Sequence, residues 1–391
     1  MSRRQFTERV RPLVFRAIAV ALAFFLTLAM TEGALWLLCP RNESVLRHFT
    51  QDIPGVSREV VYSRNREGLR SLSMSSRAKP HGTVRVLCVG ASTTDQATQS
   101  IEDTWSGHVE QQLRQHFSSE DLRIEVAAYG RGGQKMRHTY AWCRQRLAEL
   151  DPDVLVTLVG VNDLAFHAGS EYRAQSPETS DHRKLSELIT RWTDYSQIGS
   201  RIQSLDLRMV GRPAKVEWHS ANLPRLRETK QSLPRCDTPL RTHDPADEFI
   251  AHLEALLKYC HELHIPVVLL AQPVLWRADL SEREQESLWF PIASDTGAVR
   301  PSMAWLAGEM ARFNSLQGES AARLEATFVP TADAVPATQS DFFDDCHMTD
   351  EGSRRLAEVV APVVARVIER QLSPRAENGT IADRRTSTQR Q

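Results

Sequence analysis

Val84-Arg85-Val86-Leu87-Cys88-Val89-Gly90, continued by Ala91-Ser92, is the stretch on which the reading of this chain turns. A short run of β-branched and apolar residues stopped by glycine predicts a parallel strand covered on both faces. Its end delivers Ser92 to the edge of a sheet. A second such run, Val154-Leu155-Val156-Thr157-Leu158-Val159-Gly160, follows the Asp151-Pro152 break and carries Asn162 and Asp163 to its own end. If the two strands are parallel, both polar groups emerge on one edge, which is where open α/β sheets bind their ligands.

A serine hydroxyl is a poor nucleophile until a neighbouring base takes its proton, and an imidazole near its reference pKa of about 6.5 can do so at neutral pH. The candidate base is His347, in Asp344-Asp345-Cys346-His347. A carboxylate three residues earlier, in a turn, can reach back to Nδ1 and fix the tautomer that leaves Nε2 for Ser92. Asp344 suits that role, whereas the side chain of Asp345 should point away. A tetrahedral oxyanion needs donors aimed at it, and Asn162 with two backbone amides would supply three.

Taken singly, each motif also reads as ordinary structure. Ser92-Thr93-Thr94 can be a polar turn or helix cap, Asn162-Asp163 a turn after a strand, and Asp344-Asp345 acidic residues ahead of a helix capped by Thr349. Gly130 to Gly133 lacks the GxGxxG spacing of a dinucleotide site. Asp345, Cys346 and His347 could ligate zinc, yet no CxxC pair or HExxH accompanies them. The joint occurrence of the motifs, in order, favours chemistry over coincidence, and that chemistry needs neither cofactor nor metal.

In that order the motifs resemble the SGNH family of serine hydrolases, also called GDSL-like esterases and lipases. Gly90-Ala91-Ser92 matches the nucleophile segment, Gly130 in Tyr129-Gly130-Arg131-Gly132-Gly133 the glycine segment, Gly160-Val161-Asn162-Asp163 the GxND segment, and Asp344 with His347 the closing DxxH. The resemblance implies a flavodoxin-like three-layer α/β/α domain with a central parallel sheet. It also implies Ser92, Asp344 and His347 as triad, with the Ser92 amide, the Gly130 amide and the Asn162 side chain as oxyanion hole. Two positions depart from the pattern: Ala91 stands where an aspartate is usual, and Ala128 where an asparagine is often found.

The one strong break in composition lies at the front. Residues 17–31, AIAVALAFFLTLAMT, carry no charge, and apolar character resumes at Ala34–Cys39 after Glu32 and Gly33. Residues 13–39 are long enough for a signal-anchor helix across a hydrocarbon core of roughly 30 Å. Arg3, Arg4, Arg9, Arg11 and Arg16 precede it, which by the positive-inside rule keeps residues 1–12 cytosolic and puts everything after Arg41 in the periplasm or outside the cell. A cleaved signal peptide is the competing reading, disfavoured by the WLL at residues 36–38 and by the lack of a clean A-x-A pattern.

Residues 40–80 form a juxtamembrane lead-in without strong periodicity, and 81–370 the hydrolase-like domain. Within it 105–117 and 137–149 read as helices, Val126–Gly130 as a strand end, Asp244-Pro245 as the cap of a helix to about His264, Val267–Pro273 as a strand and Trp305–Leu316 as a helix. The polar stretch 165–243, with a helix near Lys184–Thr193, is too long for an ordinary loop and reads as an insertion or cap over the site. A helix from Gly352 to Glu369 closes the domain, and 371–391 reads as a disordered tail. Cys143, Cys236, Cys260 and Cys346 are either bridge members or reduced thiols.

The chain has 391 residues, is 41% hydrophobic and 25% charged, and carries a formal net charge of −1. That balance holds one sizeable core and supplies no basic field for nucleic acid. The expected activity is hydrolysis of carboxylic esters, with a small acyl ester or an acylated envelope glycan or lipid as substrate and the membrane as partner through the N-terminal helix. The alternatives are an O-acyltransferase acting on extracytoplasmic polysaccharide and a non-catalytic glycan-binding or assembly protein of the same fold.

Overall fold

A computed structural model describes residues 15–16, 19–20, 22–34, 45–74, 76–165, 215–239, 241–290, 292–294 and 297–387. Two compact units divide the chain, one comprising Met1–Glu43 with Glu178–Ala214 and the other Ser44–Pro177 with Lys215–Gln391.

In the larger unit the elements run β1 (Val45–Thr50), β2 (Glu59–Arg64), β3 (Thr83–Gly90), α1 (Ser92–Asp95), α2 (Trp105–His116), β4 (Arg123–Tyr129), α3 (Met136–Leu150), β5 (Val154–Leu158) and α4 (Val161–Ala165). They continue as α5 (Lys215–Ser232), α6 (Pro245–Glu262), β6 (Val267–Leu270), a short hairpin of β7 (Ile292–Ser294) and β8 (Gly297–Val299), α7 (Met303–Arg323), β9 (Thr327–Val329) and α8 (Asp350–Ser387). The central sheet has the order β4-β3-β5-β6-β9, parallel at every pairing. Counting only these five strands in chain order gives 2-1-3-4-5, the doubly wound order of flavodoxin. All eight residues of β3 and all five of β5 are buried, as strands with helices on both faces require. Helices α2 and α8 pack together, and α6 packs on both α3 and α7, which gives the layers on the two faces.

Local signals account for most boundaries. Asp244 caps α6 by accepting from the Ala246 amide at 3.0 Å, and Pro245 opens the first turn. Thr349 accepts from the Gly352 amide at 3.1 Å ahead of α8. Helix α8 runs on to Ser387, through the segment that reads as an irregular tail; once the buried face of Leu356, Val360, Val364 and Ile368 has nucleated the helix, each further residue extends it at no new nucleation cost.

Residues 45–74 correct the reading of a featureless lead-in. Strands β1 and β2 pair antiparallel, from Val45 opposite Arg64 to Thr50 opposite Glu59, and Val60, Tyr62, Leu69 and Met74 are buried. Beyond the hairpin, the Arg70 and Ala128 amides donate to each other's carbonyls at 2.9 and 2.7 Å, so this arm pairs with the open edge of β4 at one position. The larger compact unit takes in this arm and begins at Ser44. Its charged residues hide the arm from hydropathy, because Arg64 turns inward onto Asp95 and Arg70 onto backbone carbonyls.

In the smaller unit, residues 22–34 are helical, and the hydroxyls of Thr27 and Thr31 donate to the carbonyls of Ala23 and Thr27 at 2.8 and 2.7 Å. Among the described residues no helix is long and apolar enough to cross a membrane. Residues 13–14, 17–18, 21 and 35–39 of the expected anchor, most of the 165–243 insertion and its helix near Lys184 lie outside the described residues. Cys88, Cys143, Cys236, Cys260 and Cys346 are free thiols.

Candidate active site

Ser92 is the first residue of α1, set directly beyond the buried strand β3. Two glycines make this turn possible by close approach. A Cβ on Gly90 would strike Thr94 Oγ1 and the Leu158 carbonyl, and one on Gly130 would strike the Ala91 carbonyl and the Asp95 amide. Gly130 thus lies against the backbone of the serine turn, and α1 could not sit there beside a larger residue. The short helix ends at Gln96 in the left-handed conformation, φ 42°. Arg70 donates to the carbonyls that close it, Asp95 O and Gln96 O, the latter at 2.8 Å, and beyond the helix to Gln99 O at 2.6 Å.

His347 stands across from Ser92 with Nε2 at 2.9 Å from Oγ. Its Nδ1 lies 2.9 and 2.8 Å from the two oxygens of Asp344. A carboxylate can only accept, so Nδ1 carries the hydrogen and Nε2 is left to accept from the serine hydroxyl. Asp344 is fully buried and takes further bonds from the amides of Cys346 at 3.1 Å and His347 at 2.8 Å, and from the indole N–H of Trp289 at 2.9 Å. Burial works against a charged His347, yet Asp344 outweighs it and holds the imidazole above its ordinary value of 6.5. The Phe343 ring stacks on the imidazole, 5.7 Å between centroids.

Asp345 turns the other way. It accepts from Trp276 Nε1 at 2.7 Å and from the amides of Trp289 and Phe290 at 2.6 and 3.1 Å, and so fixes the 276–290 segment. Burial pulls the Lys230 amine of α5 below its ordinary value, against the attraction of Asp345. Ligand-type atoms of Asp344, Cys346 and His347 lie within 4.8 Å of one another. They make a poor metal set, because His347 Nδ1 and the two Asp344 oxygens are already bonded to each other at 2.9 and 2.8 Å.

Asn162 follows β5 at the neighbouring strand end and is buried, and its Nδ2 donates to the Gln134 carbonyl at 2.9 Å. Nδ2 carries a second N–H beyond that bond. Asp163 accepts from the Met136 amide at 3.0 and 3.1 Å and so caps α3; burial pushes its carboxyl up to about 7. Ser92, Asp344 and His347 are therefore brought into one hydrogen-bonded chain, while Gly130 and Asn162 sit at the ends of the two strands that flank β3. Trp289, Arg64 and Arg70 escaped the sequence reading. No short motif marks any of them; Arg64 ends β2, and Arg70 and Trp289 lie on connecting segments.

The GDSL-like Lipase/Acylhydrolase family is matched over residues 88–355, most of the larger unit and more than half of the chain. The chain belongs to this family and is an ester-bond hydrolase. An acetyl xylan esterase, AlAXEase, is similar with a TM-score of 0.40 and 15% identity, over 72% of this chain and 100% of that one. The Axe2 acetylxylan esterase from Geobacillus stearothermophilus, as a catalytic mutant, gives 0.39 and 13% over 72% and 93%. TesA gives 0.39 and 14% over 72% and 99%. No curated protein matches the chain in sequence.

Proposed function

We propose that the chain is a serine esterase in which Ser92, His347 and Asp344 act as triad. The observation that carries this reading is the continuous hydrogen-bonded path from Asp344 through His347 to Ser92 Oγ. As the Ser92 oxygen forms its bond to the ester carbonyl carbon, His347 Nε2 takes the hydroxyl proton and Asp344 stabilises the imidazolium. The negative charge on the carbonyl oxygen is met by the Ser92 and Gly130 amides and the free N–H of Asn162, each such donor worth about 2.7 to 4 kcal/mol in the transition state. Collapse breaks the ester C–O bond, and the leaving alcohol takes the proton back from His347. Water then attacks the acyl-serine by the same route and releases the acid.

The substrate class we infer is the O-acyl group of an envelope glycan or lipid, reached by a domain held outside the cytosol on an N-terminal membrane anchor. The arginines before residue 17 support that placement, as do the exposed Leu22, Phe24, Phe25, Leu26 and Met30 on the helical stretch 22–34. The test is hydrolysis of short- and medium-chain p-nitrophenyl esters by the full chain in detergent, beside Ser92→Ala and His347→Ala. Turnover abolished in both variants is expected. A folded wild type that hydrolyses none of the esters would contradict the reading.

A further inference from the structure

The N-terminal arm sends one side chain into the space between the serine turn and the glycine loop. Arg64, at the end of β2, donates from Nη2 to Asp95 Oδ1 at 2.8 Å and to the Gly130 carbonyl at 2.8 Å. Its Nη1 donates to the Gly68 carbonyl at 2.9 Å, and its Nε to the Tyr62 hydroxyl. Asp95 ends the helix that Ser92 begins, and Gly130 is the residue whose backbone lies against that helix. One guanidinium thus ties together the two segments that would supply backbone amides to the oxyanion.

A stability role is a weak explanation for this arrangement. The side chains of Arg64 and Asp95 are only 15% and 10% exposed. Buried pairs of this kind repay their desolvation poorly, and apolar replacements of similar volume are often neutral or stabilising. What the pair does provide is direction. A guanidinium presents fixed donors to a carboxylate and a carbonyl at once, which an ammonium on a flexible stem cannot reproduce. The Gly130 carbonyl is held by Arg64 while the Ala128 amide and carbonyl, two residues earlier, are held by the Arg70 backbone. The peptide that carries the Gly130 N–H lies between those two anchor points.

We propose that Arg64 is a positioning residue of the oxyanion hole: by bridging the Asp95 carboxylate and the Gly130 carbonyl it fixes the Gly130 amide relative to Ser92, which makes the N-terminal arm part of the catalytic apparatus. The proposal rests on the esterase reading of the site. It is tested in the full chain with Arg64→Met, Arg64→Lys and the double variant Arg64→Met/Asp95→Leu, with Arg58→Met, an exposed arginine of the same arm, as control. The readouts are kcat and KM for an ester, the affinity of a boronic acid that mimics the tetrahedral state, and thermal stability.

Arg64→Met should lower kcat about 10- to 100-fold, part of the loss seen on deleting an oxyanion donor, with KM changed by less than about threefold. Boronate affinity should fall in parallel, and Arg64→Lys should stay impaired. The double variant should regain or exceed wild-type stability without regaining kcat, which separates positioning from folding. Wild-type kcat and boronate affinity in the folded double variant would overturn the proposal and leave the esterase reading intact. An inactive, folded wild type would overturn the esterase reading and this proposal with it.

Discussion

The site has two kinds of parts, and they are built by different means. Ser92, Gly130 and Asn162 sit beyond the ends of β3, β4 and β5, where buried strands stop and the sheet ladder sets where the chain emerges. Asp344 and His347 sit on a connecting segment after β9, and there position comes from side-chain bonds: Trp289 to Asp344, and Trp276 with two amides to Asp345. The first half depends on strand register and on glycines that allow close approach. The second depends on buried polar groups that each have a partner, and it should fail one bond at a time.

Substitutions can sharpen that contrast. Ser92→Ala removes the nucleophile and should cost about 10⁶-fold in kcat with little change in fold. Asp344→Asn leaves the shape but loses the tautomer control, for about 10⁴-fold. Because Asp344 is what holds His347 above 6.5, the same change should move the acid limb of kcat/KM to lower pH. In the wild type the neutral imidazole is the active form, so that limb should lie above 6.5; a limb below it would show that Asp344 does not govern the base. On the strand-borne side, Asn162→Ala should cost about 10²- to 10³-fold in kcat with KM nearly unchanged.

Trp289→Phe keeps the ring and deletes one donor to Asp344. The expected loss is about tenfold in kcat/KM, with the acid limb displaced upward because the less satisfied carboxylate raises His347 further. If Trp289→Phe proved as damaging as Asp344→Asn, the connecting segment would have to be treated as one cooperative network. The smallest effect is on stability. The folded-state carboxyl of Asp163 lies at about 7, so the folded chain keeps a proton that the unfolded chain has released, and stability falls as pH rises from about 4 to about 7. Asp163→Asn should make that slope shallower, since Asp103, raised to about 6, still contributes, and thermal melts of both proteins across the range would read the difference directly.

The strand-borne half was open to sequence reading because its signals are local. An apolar run, a glycine and a polar residue lie within a dozen positions, whereas the flavodoxin-like order comes from the family resemblance those motifs carry. The pairing of Asp344 with His347 was legible for the same reason, at three residues' separation. The fifth strand was not: Thr327–Val329 is three residues long and carries no periodicity of its own. The arm at 45–74 escapes sequence reading because its buried residues, Val60, Tyr62, Leu69 and Met74, are few and spread out, and because its two inward arginines are held by Asp95 and by backbone carbonyls far along the chain. Trp289 meets Asp344 across 55 positions, and no short window contains both.

The central claim is that Ser92 is the nucleophile and His347 its base, and covalent capture tests it most directly. The full chain would be treated with a fluorophosphonate, its intact mass measured and the modified residue mapped. The account predicts a single adduct on Ser92, forming at a rate that rises with pH through a value above 6.5 and falls to background in His347→Ala. A folded chain that takes up no label, or takes it up at a residue other than Ser92, would contradict it.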